Sequence, residues 1–237
     1  MATLRHAWTG RGCRIARRLG LTARPHAHYT ARMSKTAPDF SIESQYDANA
    51  PICGVDEAGR GPWAGPVVAA AVILPQDSSW HGLNDSKKLS ATRRDALYEQ
   101  IMAEADVGIG IAEVADIDQL NILGATKHTM QQAVAALSTP PAVALIDGNQ
   151  PPQLPCQSVS VIKGDAKSLS IAAASIIAKV TRDRQMCALA MQFPQYGWEK
   201  NMGYGTKQHQ EGLRAHGITA HHRRSFAPIR ALLNEAA

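Results

Sequence analysis

The stretch ICGVDEAGRG, residues 52–61, constrains this chain more than any other. Its apolar residues Ile52, Cys53 and Val55 predict a buried strand. That strand runs into two adjacent carboxylates, Asp56 and Glu57, and then into Gly59-Arg60-Gly61. An acid at the end of a buried strand is costly unless a cation or hydrogen bonds compensate it. Carboxylate oxygens suit hard cations such as Mg2+ or Mn2+. Gly59 and Gly61 strip the following turn of side-chain bulk, so a large partner can approach the backbone there. The stretch therefore predicts a metal site beside a bare backbone cradle. Neighbouring strand residues face opposite sides of a sheet, so Asp56 and Glu57 share one site only where the strand breaks. Gly59 and Gly61 are expected to supply that break.

Two other readings compete. In an arbitrary chain an Asp-Glu pair marks a solvated turn, and the apolar run before it is what argues otherwise here. The spacing Gly59-x-Gly61-x-x-Ala64 also matches a loose dinucleotide-binding fingerprint. That motif must open a helix and carry an acid about 20 residues later. Residues 66–74 look like another strand instead, and two carboxylates at the mouth would repel a pyrophosphate. The nucleotide reading is rejected.

Charge has to be read by segment. The chain of 237 residues carries 25 Lys and Arg against 20 Asp and Glu. Seven of the arginines and none of the acids fall in residues 1–32, so the remainder is slightly acidic. Any nucleic-acid binding by the body must therefore come from a local patch. A hydrophobic content of 45% suffices for one core. No apolar run reaches the ~18 residues of a membrane span. Cys13, Cys53, Cys156 and Cys187 form no CxxC pair, which fits reduced thiols in a cytoplasmic protein.

Residues 1–48 lack periodicity and are expected to be a disordered or processed basic extension, with order beginning near Pro51 and one catalytic domain over 49–237. Strands are expected at about 52–57 and 66–74. Ser90 is placed as the N-cap of a helix to about Glu104, followed by a strand at 106–113. A short helix at 116–120 and a long one at 123–137 lead to a brief, wholly apolar strand at 142–146, the pattern of a buried parallel strand. Another strand is expected at 157–163. A helix from Ser168 to about Gln192 has Lys179 and Asp183 spaced for an ion pair. A loop at 196–205 and a helix at 206–216 complete the chain. The order implies an α/β fold: a mixed five-stranded sheet flanked by helices, with a helical C-terminal part. Asp147 and Asp165 fall just past the carboxyl ends of two strands, where open α/β sheets place their ligands. His209, His216, His221 and His222 lack a zinc spacing and are taken as surface or structural residues.

Six segments in order, VDEAGRGPWAGP (55–66), NDSKKL (84–89), LIDG (145–148), VIKGD (161–165), AAASIIAKVTRD (172–183) and HHRRSF (221–226), resemble ribonuclease HII, the type 2 ribonuclease H family. Together they span about residues 51–230. The resemblance implies an RNase H-like fold and metal-dependent hydrolysis of the RNA strand in RNA·DNA hybrids. It further implies incision 5′ of single ribonucleotides embedded in duplex DNA, leaving 5′-phosphate and 3′-hydroxyl ends. It assigns Asp56, Glu57, Asp147 and Asp165 to the metal site and to catalysis, with two Mg2+ or Mn2+ ions. Gly59, Arg60 and Gly61 are assigned to sensing the ribose 2′-hydroxyl, which distinguishes RNA from DNA. Tyr204 is assigned to packing on the next sugar. Lys87, Lys88 and Arg60 are expected to contact phosphates, which position a duplex without reading sequence.

The segment NMGYGT (201–206) departs from the family pattern, with Met202 where Lys often stands and Gly205 where Pro or Ala is common. This puts a phosphate contact at 202 in doubt but keeps the tyrosine. The enzymatic rival is a type HIII enzyme, which carries a folded N-terminal domain that residues 1–48 are not expected to supply. The non-enzymatic rival is a hybrid-binding protein without catalysis, against which the four acids argue. A cytoplasmic monomer acting on duplex substrates, with no membrane association, is expected. Residues 1–32 remain open between a nonessential tail, a presequence-like segment and a start misassigned upstream of Met33.

Overall fold

The computed structural model describes residues 37–76 and 78–235; the Arg-rich residues 1–32 lie outside them. Five strands, β1 (Ile52–Ala58), β2 (Val67–Ile73), β3 (Asp106–Ala112), β4 (Val143–Asp147) and β5 (Gln157–Val161), form one sheet in the order β3-β2-β1-β4-β5. The β1–β2 and β2–β3 pairs are antiparallel, whereas β1–β4 and β4–β5 are parallel. The helices are α1 (Ala91–Glu104), α2 (Val114–Ala135), α3 (Leu169–Gln192), α4 (Trp198–Asn201), α5 (Lys207–His216) and α6 (Ala227–Glu235). This is the mixed, helix-flanked sheet expected from the sequence.

Strand periodicity assigns the two faces. Cys53 and Val55 of β1 and Ala69 and Ala71 of β2 pack with Met130, Ala133 and Val134 of α2. Ala70 and Val72 point the other way, into a layer built from Leu97 and Ile101 of α1 and the Ala/Ile face of α3. Gly54 allows this second layer to close tightly. A Cβ there would run into the backbone of Ser170 and Ile171 at the start of α3. A third cluster, with Tyr196, Trp198, Leu213 and Ile229, packs the C-terminal helices onto Met186 and Ala190 of α3.

Several boundaries follow the sequence for identifiable reasons. Ser90 caps α1 by accepting from Arg93 N–H, as expected. Within α2, Asn121 takes φ 58° and ψ 169°, and its Oδ1 accepts from the amides of Leu123 and Gly124. That side-chain cap starts a second helix and accounts for the separate short and long helices expected there. β5 ends at Val161 instead of 163, because Lys163 turns the chain with a left-handed φ of 56°.

Three expectations need correction. Packed structure begins upstream of Pro51: the short 3-10 helix Glu43–Gln45 buries Glu43, whose Oε1 accepts from Ser168 Oγ (2.6 Å) and Ser170 N–H (3.1 Å). The loop expected at 196–205 contains α4. The helix α6 was not expected at all. No helix among the described residues is long and apolar enough to cross a membrane.

Candidate metal centre and nucleic-acid cradle

Register brings the first two acids together. Val55 of β1 pairs in parallel with Ile146 of β4, and both face the α2 layer. The next residues, Asp56 and Asp147, therefore stand side by side facing α3. Asp165 arrives on the turn after β5, where Gly164 N–H donates to Asp147 Oδ1 at 2.7 Å. One carboxylate oxygen from each of Asp56, Asp147 and Asp165 lies within 4.8 Å of the others.

The cluster is short of positive charge. Burial, then repulsion by Glu57 and Asp147, pushes the Asp56 carboxyl well above the usual carboxylate range. Burial, then Asp85 and Asp147, raises Asp165 against the pull of Lys87 and Lys88. Acids that raise one another's pKa are stabilised by a cation placed among them. All the donors are carboxylate oxygens, so the set fits a hard divalent ion.

Glu57 is not part of this group of three, and the expected strand break does not occur. β1 continues through Glu57 to Ala58, which still pairs with Val68 of β2. Glu57 pairs with Ala69, so it faces the α2 layer, where Arg60 Nη1 lies 3.2 Å from its Oε1. Burial raises its carboxyl despite Arg60. Asp147 also adds to that rise, so the two acids sense each other from opposite faces at the strand ends.

The cradle adjoins the acids. A cleft of about 360 Å3 is lined by Asp56, Glu57, Gly59, Arg60, Gly61 and Tyr204, with Lys87, Lys179 and Arg182 around it. Gly59 has φ 98°, and a Cβ there would collide with the Arg182 side chain. A Cβ on Gly61 would lie 3.2 Å from Tyr204 Cε1, so the tyrosine stands directly over that glycine. Tyr204 itself is 52% exposed, an uncommon position for an aromatic ring without a partner. The two lysines differ. Lys87 lines the cleft, whereas Lys88 does not and lies 3.7 Å from Asp85. A second hollow of about 450 Å3, between Phe40, Glu43 and Pro51, lies away from the acid cluster.

Residues singled out in the C-terminal part take structural places. Met202 packs against the Tyr196–Trp198 cluster. Asp183 holds Lys179 at 2.6 Å, as expected. His209 and His222 are fully buried against each other and Trp198, while His216 is exposed. Sequence reasoning missed Arg182 and Arg223, buried cations that grip the cradle. Each was visible only as one letter of a family-like segment, 172–183 and 221–226 respectively.

Comparison with known proteins agrees with this geometry. The family model described as ribonuclease HII matches residues 53–229. Ribonuclease HII of Jannaschia sp. (strain CCS1) is 57% identical over 197 residues, covering 83% of this chain and 98% of that protein. The crystal structure of ribonuclease H2 from Pyrococcus horikoshii OT3 superposes with a TM-score of 0.66 at 26% identity, over 78% of this chain and 97% of that one. Bst-RNase HIII in complex with Mn2+ shares the fold, with a TM-score of 0.64 at 19% identity over 87% of this chain and 76% of that one. The matched region takes in the sheet from Cys53 onward, the three clustered aspartates, the glycine cradle and Tyr204, and the chain belongs to the ribonuclease HII family.

Proposed function

We propose that this ribonuclease H, an endonuclease acting on the RNA strand of RNA·DNA hybrids, also incises duplex DNA on the 5′ side of a single embedded ribonucleotide. Its products would carry a 3′-hydroxyl on one side and, on the other, a 5′-phosphate borne by the ribonucleotide. The observation that carries this reading is the placement of Asp56, the glycine cradle and Tyr204 around one cleft. A single 2′-hydroxyl held at the cradle would then lie beside the acids.

In this reading Asp56, Asp147 and Asp165 hold divalent ions, and Glu57 completes the set from the other face of β1. Mg2+ or Mn2+ suits oxygen-only donors, and the Mn2+ complex of a protein with the same fold supports that choice. When bound, two such ions supply an activated water and neutralise the leaving oxygen. The chain's own groups bind and orient the substrate. Gly59, Arg60 and Gly61 offer backbone polar groups to the ribose. Tyr204 packs on the sugar that follows. Lys87 contacts a phosphate, with Lys88 placed to do so only after leaving Asp85.

The test is a duplex with one ribonucleotide, incubated with Mg2+, with Mn2+ and with chelator, and its product ends mapped. Cutting 5′ of the ribonucleotide in either metal, and none in chelator, is the expected result. Cutting on the 3′ side, or undiminished cutting in chelator, removes the proposal.

A further inference from the structure

Two guanidinium groups lie behind the cradle with no carboxylate partner. Arg182 of α3 is 2% exposed and Arg223, after α5, is 0% exposed. Neither forms an ion pair among the described residues. Both donate to backbone carbonyls instead. Arg223 reaches Gly59 O (2.6 Å), Arg60 O (3.1 Å), Gly65 O (2.8 Å) and Pro66 O (3.1 Å). Arg182 reaches Pro66 O (2.9 Å), Ala64 O (3.2 Å) and Met202 O (3.1 Å). Burial pushes Arg182 down to about 10 and Arg223 down to about 9, so both remain cations at neutral pH.

A buried cation held only by carbonyls is a costly way to secure a loop, so what it does to that loop is informative. A trans peptide unit is planar, with its C=O and N–H pointing in opposite directions. Drawing the Gly59 carbonyl inward turns the Arg60 amide outward, and drawing the Arg60 carbonyl inward does the same for the Gly61 amide. Neither amide donates a hydrogen bond to another described residue. Arg182 adds a second constraint. Through Met202 O it ties the cradle to the turn that carries Tyr204 two residues later. The cleft's two substrate-facing parts are thereby referred to one side chain.

We propose that Arg182 and Arg223 are positioning residues for ribose recognition. By capturing five carbonyls of residues 59–66, they aim the Arg60 and Gly61 amides into the cleft at a fixed distance from Tyr204. The proposal rests on the reading of residues 59–61 as the ribose sensor. It requires the shape of the guanidinium as well as its charge. A lysine keeps the charge but loses the planar fork that bridges several acceptors.

The experiment uses the full chain in an Asp147→Asn background, where cleavage is expected to be slowed more than ~100-fold, with Mg2+ present and binding read before cleavage. Affinity is measured for two duplexes identical except for one 2′-hydroxyl. The background protein should prefer the ribonucleotide-bearing duplex, and Gly61→Ala should abolish that preference. Arg223→Lys and Arg182→Lys should each reduce it at least ~10-fold, the scale of a small misplacement in a preorganised site, while affinity for the all-DNA duplex is retained. A role confined to stability would lower the melting temperature and the active fraction without changing the ratio of the two affinities. An unchanged ratio in both lysine variants, with Gly61→Ala still effective, overturns the positioning role and leaves the sensor reading intact. Absence of any preference in the background protein, or an ineffective Gly61→Ala, overturns the sensor reading and the proposal with it. If neither lysine variant folds, the pair belongs to the stability of the fold and the positioning role is likewise overturned.

Discussion

Asp147 and Gly164 are joined by a 2.7 Å hydrogen bond from the glycine amide to Oδ1, which fastens the turn carrying Asp165 to the end of β4. An asparagine at 147 keeps an acceptor for that amide but removes the negative charge. Asp147→Asn should therefore fold with a melting temperature close to that of the parent. Its cleavage should fall by more than ~100-fold, because the ions lose a charged ligand. Asp147→Ala loses the acceptor as well and should also melt earlier. Near-parental turnover of purified Asp147→Asn at saturating Mg2+ would show that the acid does not serve the ions.

Tyr204 lies over Gly61 and is half exposed, so truncating it removes little buried surface. Tyr204→Ala should keep its thermal stability. Cleavage at a lone ribonucleotide should drop roughly 10-fold, within the ~1–3 kcal/mol of a lost aromatic contact to a nucleotide. A continuous RNA·DNA hybrid offers many equivalent positions and should suffer less. Equal losses on the two substrates would count against the sugar-packing role.

The buried histidine pair predicts acid sensitivity. Thr219 N–H donates to His222 Nδ1 (2.9 Å), which leaves the His222 proton on Nε2, facing His209 Nε2 at 3.0 Å. Trp198 Nε1–H also donates to that His209 nitrogen (3.2 Å), so the His209 proton sits on Nδ1 and donates to Tyr204 O (3.0 Å). An added proton on either ring would face another N–H. Burial, then His209 and His221, pushes His222 down to about 3, and burial lowers His209 as well. The folded values lie below the unfolded one near 6.5, so the unfolded chain takes up protons first. This contribution is complete above about pH 6.5 and is lost as pH falls toward about 3. Stability should decline by roughly 2–4 kcal/mol between about pH 7 and pH 4 from this source. Carboxylates add their own slope, so the measurement is the difference between parent and His222→Gln melting curves. Parallel curves would acquit the histidines.

Residues 1–32 are proposed to be dispensable for catalysis. A chain begun at Met33 keeps Glu43 and should cleave normally at physiological salt. Any weakening should be confined to low salt, where seven arginines attract phosphates most strongly. A folded but inactive Met33 chain would assign the segment to the working enzyme. Glu43→Ala is the contrasting case. It deprives Ser168 Oγ and Ser170 N–H of a buried acceptor, and should cost about 1–3 kcal/mol of stability, read as a lower melting temperature.

The acids were legible because each sits in a short string whose neighbours announce a strand end or a turn. The division of α2 was legible for a similar reason, since the helical pattern lapses around Asn121. The opposed faces of Asp56 and Glu57 were not. Gly59 permits a break, but whether β1 stops depends on β2, whose Val68 is still there to pair with Ala58. Arg182 and Arg223 were further out of reach, because their partners lie as many as 118 and 164 positions away in the chain. No local periodicity reports such contacts. For α6 a signal was present, with Pro228 in the first turn and Ile229 and Leu232 three apart on one face.

The proposed ligands are complete by Asp165, whereas the groups that grip residues 59–66 come from positions 182 to 223. On a ribosome the chain therefore acquires its acids well before the two arginines proposed to aim the Arg60 and Gly61 amides. A product stopped between those points would hold every carboxylate and an unbraced loop. On the proposed reading, the order of synthesis keeps the ability to choose a target for last.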